Sequence, residues 1–308
     1  MNDINKNHIY TLLKNEIDGI DVFIDEPMKN HTSFHIGGNA DIFISAKSKD
    51  EIISAVSLLK ENNVKITIVG NGSNLLVSDD GIEGAVICIG KDFASVTKNG
   101  NTITADAGIL LSRLSSFAAS NGLTGLEFAS GIPGTLGGAI VMNAGAYGGE
   151  MKDCVISTTY INCGGNIRTI NGEEHMFSYR KSFFKDGDII LSSTLSLQKG
   201  DEAVIKETMR SLSEKRREKQ PLEYPSAGST FKRPEGAFAA KLIDDAGLRG
   251  FSVGDAEVSE KHCGFVINKG KASFKDVMAL MEHIKTTVKD KFGFELEPEV
   301  KIIGRLEV

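Results

Sequence analysis

Cysteine is scarce and unpatterned in this chain. The 308 residues hold four, Cys88, Cys154, Cys163 and Cys263, with no C-x-x-C pair. No Cys/His cluster has zinc spacing either, so a zinc site is not expected. The four read as buried thiols of a reducing compartment. Positive charge is not in excess: the formal net charge is −6, which argues against a general nucleic-acid surface and leaves only a local basic patch for a phosphorylated small molecule. Met1 to Phe23 mixes Asp, Asn, Lys and Glu with apolar residues. It lacks a continuous apolar core, so no secretory signal is expected and the location implied is cytoplasmic. His31 and His35 are four apart, but no Glu completes an H-E-x-x-H pattern and Gly37-Gly38 follows at once. No metal is expected there.

Charge is missing altogether from Phe128 to Gly149, a run of 22 residues. That is long enough to span a bilayer. Seven of the 22 are Gly, one is Pro, and Thr135 and Asn143 add polarity, so hydropathy is weak and no membrane insertion is expected. Such a segment suits a place where backbone must approach a ligand. Glycine is concentrated around it: Gly70 to Gly149 contains 16 of the 33 glycines.

What is present reads as alternating strands and helices. Ala40 to Ala46 alternates like a half-buried strand. Ser48 opens a helix to about Glu61, with Glu51 at the capping-box position. Val64 to Val69 is the next strand, and Asn99-Gly100 and Gly164-Gly165 mark hairpin turns. Leu110 to Ser120 is helical, ended by Gly122. Asp188 to Leu197 is a strand, and Asp201 to Lys219 a charged helix that stops before Pro221. A boundary is placed near Lys199. Beyond it come a short helix (Phe238 to Ala246), strands, a long helix (Ser273 to Lys291) and a last strand around Pro298.

Two Gly-rich segments are candidate phosphate cradles. Gly70, Asn71, Gly72, Ser73, Asn74 and Leu75 follow a strand and imitate half of a dinucleotide fingerprint. The third glycine is replaced by Leu75 and no helix follows, so a Rossmann unit is not expected; the turn can still present N–H donors. The second runs through Ser130, Gly131, Ile132, Pro133, Gly134, Thr135, Gly137 and Gly138. From Thr135 to Asn143 it can begin a helix whose free N–H groups face an anion. Lys215-Arg216-Arg217 is either a solvated helix end or a clamp for phosphates. Arg180, Ser229 and Glu299 stand in distinctive surroundings, but taken singly they fit a surface ion pair, a turn hydroxyl and a strand-edge carboxylate.

Together these segments resemble the UDP-N-acetylenolpyruvoylglucosamine reductases. The likeness runs from about His31 to Gly304. It is carried by Thr32 to Asp41, Gly70-Asn-Gly-Ser-Asn-Leu-Leu, Gly125-Leu-Glu-Phe to Gly149, Arg180-Lys-Ser-Phe-Phe-Lys, Gly228-Ser-Thr-Phe-Lys and Glu297-Pro-Glu-Val, in that order. The resemblance implies an α+β fold: a two-lobed FAD-binding domain of the vanillyl-alcohol oxidase (PCMH) type, then a smaller α+β substrate-binding domain. The corresponding spans are 1–30 (an N-terminal helical segment), 31–199 and 200–308. It implies non-covalent FAD in the two Gly-rich loops together with Asn143 and Gly145, and NADPH as hydride donor. The partner implied is an enolpyruvyl UDP-sugar, and Arg180, Ser229 and Glu299 form the catalytic trio. Only 48 residues separate Arg180 from Ser229, which matches the shorter subclass without the extra substrate-covering loop. The competing expectations are a flavin oxidase of the same fold acting on an alcohol or sugar, and a non-catalytic nucleotide-sugar-binding protein.

Overall fold

The structure is a computed structural model that describes Met1 and residues 3–306. The chain divides into two compact units, each assembled from separated stretches. The first comprises Met1–Ile24, Ile42–Asn71 and Gly84–Arg216; the second comprises Asp25–Asp41, Gly72–Glu83 and Arg217–Val308. The division thus falls inside the first Gly-rich segment, between Asn71 and Gly72.

The first unit is built on β-structure. Its five-stranded sheet is antiparallel throughout, in the order Ile167–Asn171, Val155–Ile161, Ile189–Ser196, Thr102–Asp106, Val96–Asn99. The hairpin of Val96–Asn99 and Thr102–Asp106 turns at Gly100, whose φ of 60° is the left-handed conformation that glycine adopts without strain. A parallel pair joins Ile66–Val69 to Ile82–Cys88. The helix Asp3–Glu16 buries Ile9 and Leu13, and Lys49–Glu61 buries Ile52, Ala55, Val56 and Leu59, the three-and-four spacing of one helical face. All of these enter one apolar core with Ile103, Leu136, Ile140 and Leu195.

Three local readings are corrected. The strand Asn39–Ser45 is buried at five successive residues, Ala40 to Ile44, so it does not alternate. Ser48 caps its helix by accepting from Glu51 N–H, but the Glu51 carboxylate reaches back to Lys47 N–H, one residue beyond the box position. Of the cysteines, Cys154 and Cys263 are buried and Cys88 is half-buried, while Cys163 is exposed, because it sits at the Gly164-Gly165 turn.

The second unit is organised around the helix Phe274–Phe292, which buries Val277, Leu280, Met281, Ile284 and Val288. Ser273 and Asp276 cap it reciprocally, and Gly293 at φ 74° ends it. Its partners include the helix Ala239–Asp245 and the antiparallel sheet Ser252–Val253, Ala256–Val258, Val266–Asn268. The last strand is Lys301–Ile303, parallel to Leu75–Val77, so it begins after Pro298 and not around it. No helix among the described residues is long and apolar enough to cross a membrane.

Candidate active site

In the first unit the neutral Gly-rich run folds into short pieces: a turn at Glu127–Ala129, a six-residue helix Leu136–Val141, and a tight strand pair, Gly145–Ala146 with Gly149–Glu150. The expected anion-facing helix start is not what forms. Leu136 N–H donates to Ile109 O (2.9 Å) and Gly137 N–H to Ala107 O (2.8 Å). Backbone carbonyls thus take the first two helical N–H groups, because the segment before the helix runs alongside Ile109–Leu111. The donors lie one step earlier. The N–H groups of Gly131, Gly134 and Thr135 have no acceptor among the described residues. Asn71 Nδ2 donates to Pro133 O at 2.5 Å, so Gly70–Asn71 and Pro133–Thr135 meet within this unit.

A hypothetical Cβ sorts the glycines by what requires them. At Gly70 it would collide with the Thr135 hydroxyl, and at Gly137 it would stand 3.0 Å from Ala107 Cβ. At Gly145 it would stand 2.6 Å from Glu150 Cγ. Protein packing therefore accounts for these three. Gly138 is exposed, and a Cβ there meets nothing nearer than Thr135 Oγ1 at 3.7 Å.

Arg216 was not singled out by sequence reasoning beyond its basic run. Lys215 and Arg217 are exposed as a solvated helix end would be, but Arg216 is half-buried and its Nη1 donates to Gly131 O. It has no carboxylate partner among the described residues, and burial pulls its pKa below the usual guanidinium range. A guanidinium remains charged even so. The helix Glu202–Lys219 therefore delivers a cation with donors to spare to the second Gly-rich loop.

Arg180 lies in a tight turn of the same unit. Ser178 and Lys181 exchange backbone hydrogen bonds across it, and Arg180 itself has φ 54°. Its guanidinium donates to Gly145 O at 3.1 Å and lies 5.0 Å from the Tyr179 ring centroid. Asn143, fully buried at φ 40°, bonds the same turn: its Nδ2 donates to Ser178 O (3.0 Å) and to Glu150 Oε2 (3.1 Å). Its Oδ1 accepts from Lys152 N–H. Burial works to raise the Glu150 pKa, but bonds from Lys152 and Asn143 and the nearby Arg180 charge hold it below the ordinary carboxylate value.

The turn is anchored from behind by His175, which is fully buried. Its Nδ1 lies 2.8 Å from Gly172 O, which can only accept, so Nδ1 carries the proton and Nε2 accepts from Thr158 Oγ1 at 2.9 Å. The His175 carbonyl takes Phe183 N–H at 2.7 Å, closing the loop that carries Arg180. Burial holds this imidazole below its ordinary pKa. Between that depressed value and about 6.5 the unfolded chain binds the proton and the folded chain does not. The contribution of His175 is therefore complete above about pH 6.5 and is lost as pH falls below it, by at most about 1.4 kcal/mol per unit. Urea midpoints of the parent should fall between about pH 7.5 and about pH 5.5. His175→Gln should show a shallower fall, and an equal slope would contradict the assignment.

The segments that carry Ser229 and Glu299 pair in the second unit. Phe231 and Pro298 form an antiparallel bridge, Glu299 N–H donates to Thr230 O (2.9 Å), and Lys232 N–H donates to Glu297 O. Ser229 and Glu299 thus sit on neighbouring paired chains, Ser229 exposed and Glu299 half-buried. Thr230, adjacent to Ser229, is held by Gly264 O and by Val266 N–H, which its hydroxyl accepts. The second half of the first Gly-rich segment supports this pair. Asn74 Nδ2 donates to Glu299 O, and Asn74 O accepts from Lys301 N–H. Gly72 is needed for a backbone reason: at φ 61° it packs against His31 O and accepts from Ser33 N–H.

Comparison with known proteins gives the family. Residues 40–171 match the family model of the FAD binding domain. Residues 220–303 match that of the C-terminal domain of UDP-N-acetylenolpyruvoylglucosamine reductase. The reductase of that name from Clostridium novyi (strain NT) is 52% identical over 303 residues, 98% of this chain and 97% of its own. That of Clostridioides difficile (strain 630) is 50% identical over 302 residues, 98% of this chain and 99% of its own. The crystal structure of the reductase from Thermus caldophilus superposes with a TM-score of 0.78 at 33% identity, over 92% of this chain and 98% of that one. With an FAD-binding domain, the reductase C-terminal domain and half-identical relatives along nearly its whole length, the chain belongs to the UDP-N-acetylenolpyruvoylglucosamine reductase family.

Proposed function

We propose that the chain reduces UDP-N-acetylenolpyruvoylglucosamine to UDP-N-acetylmuramate in the cytoplasm. FAD is the resident redox group and NADPH the hydride donor. Arg180, Ser229 and Glu299 are the catalytic residues, with residues 31–199, Arg180 apart, serving FAD and 200–308, Arg216 apart, the substrate. The observation that supports this reading is the Phe231–Pro298 bridge and the Thr230–Glu299 bond, through which the segments carrying Ser229 and Glu299 run side by side: a hydroxyl and a carboxyl borne on paired segments suit a reaction that ends in proton delivery.

The residues present fit a flavin dinucleotide. Gly131, Gly134 and Thr135 offer backbone N–H groups, Arg216 a guanidinium without a carboxylate, and Gly138 an open backbone. Uncharged N–H donors and one cation suit a diphosphate. Ser130, Ile132, Pro133, Gly137, Gly145, Gly70 and Asn71 belong to the same unit as those donors and are assigned to the cofactor with them. FAD, when bound, supplies two-electron carrier chemistry that no side chain offers. Gly138→Ala should leave the apoprotein as stable as the parent, since its methyl meets no protein atom within 3.7 Å. It should still weaken FAD binding about tenfold or more, the cost of one charge-assisted bond. Flavin fluorescence titration reads this directly, and unchanged affinity would move the diphosphate elsewhere.

Net reduction adds hydride to the enolpyruvyl β-carbon and a proton to the α-carbon. In between, charge builds on the α-carbon and its carboxylate. Arg180 donates to that carboxylate as it becomes enolate-like. Glu299 assists, and Ser229 Oγ–H gives its proton to the α-carbon. No His or Cys tether is assigned, so heat or acid should release all the flavin into the supernatant; flavin retained by the precipitate would contradict this. The deciding experiment is product analysis. NADPH and the enolpyruvyl UDP-sugar should yield UDP-N-acetylmuramate mole for mole. Flavin reduction by simple alcohols without that product would favour an oxidase instead.

A further inference from the structure

We propose that Asn143 is a positioning residue for Arg180 and not a ligand of the cofactor; this rests on the catalytic reading of Arg180 above. Every polar atom of the Asn143 side chain is engaged by protein. Nδ2 donates to Ser178 O and Glu150 Oε2, and Oδ1 accepts from Lys152 N–H. An amide has two donors and an acceptor oxygen, so both donors are spent and the side chain is wholly buried. Nothing of it is left to reach a flavin.

What the bonds hold is informative. Ser178 is the residue whose N–H and C=O close the turn around Arg180. The Ser178 carbonyl therefore stands both in that turn and on the Asn143 amide. Arg180 in turn donates to Gly145 O, two residues beyond Asn143. The segment 143–150 consequently grips the turn at its backbone through Asn143 and at its side chain through Gly145. Glu150 completes the clamp, since it accepts from Asn143 and pairs with Lys152 at 2.7 Å. Asn143 sits at φ 40°, in the left-handed region that Asn and Gly tolerate best. That sets the choice of variants. Asn143→Gly keeps the backbone conformation and deletes the amide. Asn143→Asp keeps the acceptor for Lys152 N–H and loses the donor to Ser178 O.

Each variant is loaded with FAD, reduced anaerobically with dithionite and mixed with UDP-N-acetylenolpyruvoylglucosamine. FAD affinity, measured separately by fluorescence quenching on apoprotein, should stay within about threefold of the parent, less than one tenfold step of 1.4 kcal/mol. Flavin reoxidation by substrate should slow by about tenfold or more, as when transition-state donors are misplaced. In an Arg180→Lys background Asn143→Asp should add less than about twofold, because the two act as one unit. A loss of FAD affinity of tenfold or more in both variants would overturn the proposal and return Asn143 to the cofactor. So would a full additional effect in the Arg180→Lys background. If Arg180→Lys slows reoxidation while both Asn143 variants behave as the parent, only the positioning role falls. If Arg180→Lys itself leaves reoxidation unchanged, the catalytic reading of Arg180 falls and the proposal with it. Should Asn143→Gly fail to fold, Asn143→Asp alone decides, since it retains the buried acceptor.

Discussion

Ser229→Ala should fold, bind FAD and be bleached by NADPH at close to the parent rate, and yet its reduced flavin should be reoxidised by the enolpyruvyl substrate about 10²- to 10⁴-fold more slowly. The order of events explains the asymmetry. Hydride addition generates a carbanion that collapses back unless a proton arrives, so the donor matters only in the second half-reaction. The local structure supports a clean variant. Ser229 is exposed, and its hydroxyl makes no hydrogen bond among the described residues. The chain is held instead by Thr230, through Gly264 O, Val266 N–H and Glu299 N–H. Removing one hydroxyl there should cost little stability. Equal slowing of both half-reactions would make Ser229 part of the flavin surroundings; no slowing would leave the proton to water or Glu299.

Arg180→Lys should be nearly as damaging, despite keeping the charge. An ammonium lacks the planar fork that can grip a carboxylate and follow it into its enolate form. Losing one preorganised donor of this kind typically costs about 10²- to 10³-fold in turnover. The backbone should tolerate the exchange, since the left-handed φ of 54° is equally available to Lys and the Ser178–Lys181 bonds are main-chain bonds. FAD affinity and NADPH-dependent bleaching should survive. Near-parent turnover would make Arg180 a brace for Gly145 and no more.

Elements with strong local signals were legible in the chain. Ser48, Ser273, the Asn99-Gly100 turn and the stop before Pro221 each depend on a few neighbouring residues. The two Gly-rich loops were legible as glycine-dependent turns, but Gly70, Gly72, Gly137 and Gly145 answer to close protein packing. What was not legible depended on distant partners. The Leu136 and Gly137 N–H groups are spent on Ile109 and Ala107, a pairing that no periodicity announces. Arg216 looked like its exposed neighbours because only the folded chain brings it to Gly131. The partners of Asn143, namely Ser178, Glu150 and Lys152, lie 7 to 35 residues away and left no mark in the sequence. The pairing of the segments that carry Ser229 and Glu299 crosses about seventy residues, so spacing offered no link and only the resemblance joined them.

Net reduction of the enolpyruvyl UDP-sugar, with this chain supplying the proton, is open to a direct test. An anaerobic single-turnover experiment tests it most directly. The FAD-loaded protein is bleached with one equivalent of NADPH and then mixed with UDP-N-acetylenolpyruvoylglucosamine. The flavin's visible absorbance should return together with one UDP-N-acetylmuramate per flavin. Run in heavy water, the product should carry solvent deuterium at the α-carbon. A flavin that stays bleached, or that recovers its colour without forming UDP-N-acetylmuramate, would contradict the account.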